Sequence, residues 1–158
     1  MALAFGTSTS ITITAGSLTA GSNRSSAAVT TATTNNTAGI ELTVNVLTTS
    51  SAPTGNKQVI VYGYKSEDGT NYSGNSSTTD NVDGTDKALT AIGNPTNLTY
   101  IGTLQMNQGA VAVTVRQVFE ITGAFGCIPA KWGIVLVNDT GVTLGATVTA
   151  TYREFYYT

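Results

Sequence analysis

Ile40-Glu41-Leu42-Thr43-Val44-Asn45-Val46-Leu47-Thr48 is the stretch that decides the fold. Ile40, Leu42, Val44 and Val46 fall on one side of an extended chain, and Glu41, Thr43 and Asn45 on the other. Period-two alternation describes a strand with one face in a core and one in water. Its Val, Ile and Thr are β-branched, which stiffens χ1 and suits a pleated surface.

Working outward, Ser50-Ser51-Ala52-Pro53-Thr54-Gly55-Asn56 has turn chemistry, and Gln58 to Lys65 reads as a second strand. There Val59 and Val61 face one way and Ile60, Tyr62 and Tyr64 the other, so both faces are bulky and the strand is expected to be central. Further strands are expected over 98–104, 111–119, 132–137 and 146–157. Shorter ones are expected around Ile11 and Ile13 and over 28–34. Asn107-Gln108-Gly109 and Asn138-Asp139-Thr140-Gly141 read as hairpin turns. Ile121 to Cys127 reads as one helical turn stopped near Gly126, and Asp86 to Ile92 as another. The expectation is an all-β chain of about eight strands, a two-sheet antiparallel β-sandwich, jelly-roll-like or Greek-key. It forms a single domain over 1–158, with a polar N-terminal arm over about 1–37 and a long polar loop over about 66–97. No internal repeat points to a propeller or solenoid.

Composition narrows the function. Only 10% of the 158 residues are charged, against about 25% in an ordinary domain, and the net charge is −2. Nothing basic invites nucleic acid, and no run approaches the ~20 apolar residues of a membrane span. Met1 to Gly6 has no charged n-region and no apolar h-region, so synthesis in a cytoplasm is expected. The chain has no histidine and one cysteine, Cys127, expected as a small buried side chain. That removes intrachain disulfides, His and Cys metal centres and the usual general base. Glu41, Glu67, Glu120 and Glu154 are scattered singly, without the paired carboxylates of a glycosidase. The chain is therefore expected to be non-enzymatic and to need no cofactor.

Three features remain. Asp80-Asn81-Val82-Asp83-Gly84-Thr85-Asp86 places oxygen ligands around a glycine turn, a weak calcium candidate through Asp80, Asp83 and Asp86. The EF-hand pattern fails, because it would put Thr79 and Thr90 where Asp and Glu belong. Asn-x-Ser/Thr triplets at Asn23, Asn35, Asn71, Asn75, Asn97 and Asn138 follow from a composition rich in Asn, Ser and Thr. The aromatic C-terminus is the third. Tyr152, Phe155, Tyr156 and Tyr157 cannot all lie on one face of an alternating strand, so part of that surface belongs to a second core or a partner. With Leu3 and Phe5 at the N-terminus they are the interface candidates.

Val61-Tyr62-Gly63-Tyr64, Asp83-Gly84-Thr85-Asp86, Pro129-Ala130-Lys131-Trp132-Gly133 and Asn138-Asp139-Thr140-Gly141-Val142 span roughly the C-terminal two-thirds. Through them the chain resembles small virion structural proteins of tailed bacteriophages, of the head-decoration or cement type. The resemblance implies a β-sandwich on the outside of a capsid, bound to the major capsid protein as a homo-oligomer, a dimer or trimer. It implies a place in the virion after synthesis in the host cytoplasm, and supplies no functional residues. A collar, tail or fibre component shares this composition. A carbohydrate-binding module is the reading from another class, and requires a planar cluster of Trp or Tyr that a single Trp does not provide.

Overall fold

The computed structural model describes residues 2–32, 36–48, 51–74, 81–89, 97–106 and 112–158. Two antiparallel sheets, of five and six strands, pack as a sandwich. The first sheet runs β1 (Leu3–Phe5), β11 (Val148–Tyr157), β5 (Thr37–Leu47), β9 (Thr114–Glu120), with β2 (Thr9–Ile11) also on β11. The second runs β7 (Lys87–Leu89), β3 (Asn23–Ser25), β10 (Lys131–Asp139), β6 (Gln58–Ser66), β8 (Thr99–Gln105), with β4 (Val29–Thr30) also on β10. One short helix, α1 (Ile121–Phe125), follows β9 and ends at Gly126 as expected.

Ile40 to Val46 lie within β5, and their alternation sets the core. Ile40, Leu42, Val44 and Val46 are fully buried, and so are Val59 and Val61 of β6 and Trp132, Ile134 and Leu136 of β10 opposite. Trp132 meets Tyr152 of β11 edge-on, ring centroids 5.5 Å apart, joining the two sheets. Val115, on the outermost strand of its sheet, is only partly buried, because no strand beyond β9 shelters it among the described residues.

Four expectations are corrected. Eleven strands form among the described residues, where about eight were expected, because two- and three-residue strands such as β1 and β3 carry no readable period. Neither expected hairpin joins paired strands: β8 and β9 lie in different sheets, as do β10 and β11. Asn107-Gln108-Gly109 itself lies outside the described residues. At the second turn, Asn138 is buried and its amide donates to the carbonyls of Leu18 and Val142, both at 2.8 Å. Its Oδ1 accepts from Thr140 N at 3.1 Å and Thr140 Oγ1 at 2.6 Å. The turn chemistry is right, but the turn carries the chain across the sandwich. Lys87–Leu89 is extended and pairs with β3, where a helical turn was expected, and residues 90–92 lie outside the described residues. Cys127 is partly exposed, with Lys65 Nζ 3.1 Å from its sulfur.

A second, smaller core covers the outer face of the second sheet. Tyr64, Val82, Leu89 and Val135 are buried together there, with Tyr72, Leu98 and Tyr62 packed against them. Tyr64 donates its hydroxyl to the Ser26 carbonyl at 2.7 Å and stacks edge-on with Tyr72 at 5.6 Å. A Cβ on Gly133 would collide with the Tyr64 ring, so only glycine lets β10 pass beneath it. This cluster is why β6 has bulky residues on both faces.

Candidate interface

The two ends of the described chain meet. β1 pairs with the last residues of β11 in the register Leu3↔Tyr157, Ala4↔Tyr156, Phe5↔Phe155. Ala2 and Thr158 exchange backbone hydrogen bonds of 3.0 and 2.9 Å, and Gly6 N donates to the Glu154 carbonyl at 2.8 Å. Directly opposed residues share a face, so Leu3, Phe5, Phe155 and Tyr157 form one apolar group on the outside of the first sheet. Leu3 is 51%, Phe5 58% and Tyr157 50% exposed, three of the five large exposed hydrophobic side chains among the described residues.

The group is stiffened from below. Phe5 and Phe155 meet edge-on, with centroids 5.1 Å apart. Phe155 lies over Gly39 of β5, where a Cβ would come within 3.2 Å of its ring. The Arg153 guanidinium sits 5.2 Å from the Phe5 centroid and 5.7 Å from that of Phe155. It is held by Glu41, whose Oε1 is 2.9 Å from Nη2 and 3.0 Å from Nε. A cation over aromatic faces adds a polar anchor at the margin of an apolar patch.

Four of the six interface candidates therefore come together and two do not. Tyr152 and Tyr156 point to the opposite face, where with Glu154 and Gly6 they line a shallow groove of about 200 Å³. Tyr152 is tied to the core through Trp132, and burial pushes its hydroxyl pKa above the usual value. Arg153 was not singled out in the sequence, although its outward position in the alternation of β11 was readable there.

The acidic segment is organised by the protein's own donors. Asp86 accepts from Arg24 Nε at 2.6 Å, Thr14 N at 3.0 Å and Thr14 Oγ1 at 2.5 Å. Asp83 accepts from Thr85 N, Thr85 Oγ1 and Lys87 Nζ, at 3.0, 2.6 and 2.7 Å. Partial burial raises the pKa of both carboxyls, but these donors outweigh it, holding Asp83 at about 2 and Asp86 below the usual range. Asp80 lies outside the described residues, and no three acidic, His or Cys side chains converge among those described.

Other candidates disperse. Glu41 and Glu120 are opposed across β5 and β9, yet Glu41 serves Arg153 and Glu120 caps α1 through the N–H groups of Thr122 and Gly123. Glu67 pairs with Lys65 at 3.1 Å, and Glu154 accepts from Ala32 N at 2.9 Å. The Asn23 and Asn138 side chains are buried, Asn71 binds Asp68 and Asn97 binds the Gly74 carbonyl, while Asn35 and Asn75 lie outside the described residues. No protein-family model, curated protein or solved structure matches this chain.

Proposed function

We propose that this chain is a non-enzymatic virion structural protein, a decoration or cement protein. It binds the outside of a phage capsid and clamps neighbouring subunits of the major capsid protein. The observation that carries the reading is the patch of Leu3, Phe5 and Tyr157, each about half exposed on a ladder made by the two chain ends. A contiguous apolar patch on a weakly charged surface suits contact with another protein. Low charge keeps repulsion between crowded neighbours small. Many weak sites on one shell add up by mass action, so individual affinity need not be high.

The carbohydrate reading loses its best residue, because Trp132 is fully buried in the sandwich. The test is heat or osmotic rupture of particles assembled with and without this protein. Complete particles are expected to survive conditions that open those lacking it. Equal rupture of both would refute the cement role and favour a collar, tail or fibre component.

A further inference from the structure

The outer edge of β9, unpaired among the described residues, carries a charge pattern complementary to itself. Thr48 N donates to the Val113 carbonyl at 2.9 Å, and the register continues as Val46↔Val115, Val44↔Gln117 and Leu42↔Phe119. In an antiparallel ladder alternate residues address the same neighbour. The odd-numbered residues of β9 thus direct their backbone groups at β5. Those of Thr114, Arg116, Val118 and Glu120 point away, where no described strand pairs with them. Val118 is 42% exposed, and its carbonyl is covered only by its neighbour's side chain, Gln117 Nε2 at 3.2 Å. Arg116 makes no ion pair among the described residues, unlike Arg24 and Arg153. The strand lacks the lysine or proline that commonly blunts an edge.

We propose that β9 pairs antiparallel with β9 of a second copy about a twofold axis at Val118, joining the two first sheets into one. That register sets Val118 against Val118 and Arg116 of each copy against Glu120 of the other. The Val118 pair is of the hydrogen-bonded kind, and the two Arg116–Glu120 pairs flank it, the Glu120 N–H facing the edge while its carbonyl, at the N-cap, begins α1. Opposite charges directly across a ladder stabilise it, and like charges destabilise it. The partner's Arg116 also relieves the like-charge opposition of Glu41 and Glu120 within one copy. A twofold interface is self-complementary, and two opposite charges placed symmetrically about an exposed apolar residue provide that. This pairing leaves the Leu3, Phe5 and Tyr157 patch free and does not depend on capsid binding.

The experiment is sedimentation velocity on the full chain over a range of concentrations. The unmodified protein is expected to form dimers. Arg116→Glu alone and Glu120→Arg alone are each expected to weaken dimerisation by at least about tenfold, since each sets like charges opposite in both pairs. A 1:1 mixture of the two variants restores dimers, because each pair then joins Glu to Arg. Val118→Lys, which leaves the α1 cap intact, is expected to be monomeric. Circular dichroism confirms that each variant is folded. If Glu120→Arg does not fold, Arg116→Glu and Val118→Lys decide the question. An unmodified protein that stays monomeric overturns the proposal. So do folded variants that dimerise as the unmodified chain does, or a mixture of folded variants that does not recover.

Discussion

Replacing Tyr64 with phenylalanine is expected to destabilise the protein at neutral pH and to matter much less in alkali. The Tyr64 hydroxyl is fully buried and donates to the Ser26 carbonyl at 2.7 Å. Removing it leaves a buried acceptor without its donor, which costs about 1–3 kcal/mol. The same burial holds the phenol neutral and pushes its pKa well above the ordinary 10.0. In the unfolded chain Tyr64 titrates near that ordinary value. Above it the unfolded state therefore binds fewer protons than the folded one, and stability falls as pH rises. One unit above, at about pH 11, this lowers the stability of the unmodified protein by on the order of 1 kcal/mol. The Tyr64→Phe variant has no phenol to titrate at this position. A deficit of about 2 kcal/mol at pH 7 should thus shrink to about half of that or less at pH 11. The other tyrosines are common to both proteins and cancel. Urea unfolding followed by fluorescence of the buried Trp132 measures the difference at each pH. A variant as stable as the parent at pH 7, or a deficit equal at both pH values, would refute the account of the second core.

Gly133→Ala should destabilise by about 1–3 kcal/mol or more, because its Cβ overlaps the Tyr64 ring; an unchanged urea midpoint would show that the ring moves freely. Asp68, Asp83 and Asp86 all have lowered pKa values, so the folded state binds fewer protons than the unfolded one in acid. Stability should be level above about pH 4 and decline as pH falls toward 2, and Asp86→Asn should flatten that limb in an acid unfolding series. Deleting residues 1–6 removes Leu3 and Phe5, both more than half exposed, and frees chain whose ordering costs about 1–2 kcal/mol per residue. The melting temperature should shift by only a few degrees while particle attachment falls sharply. Lost attachment together with a stability loss above about 3 kcal/mol would instead make β1 a structural strand.

The sequence by itself determined the inner faces of the sandwich. Alternation in Ile40 to Val46 and in Val59 to Val61 is a local property of an extended backbone, and it named buried residues directly. It also determined the short helix over Ile121–Phe125 and the absence of histidine chemistry. What it left open was partnership. Asn138 to Gly141 has the residues of a tight turn, but whether the next strand returns beside the last or crosses to the other sheet depends on contacts with Leu18 and Val142. The bulk on both faces of Gln58 to Lys65 indicated cover, and only the tertiary structure showed Val82 and Leu89 supplying it. The aromatic C-terminus likewise required a second surface. Its pairing with Leu3–Phe5 brings together opposite ends of the chain, a contact that no local period encodes. Side-chain direction along a strand is set by covalent geometry with period two, whereas the neighbour of a strand is set by the packing of the whole chain.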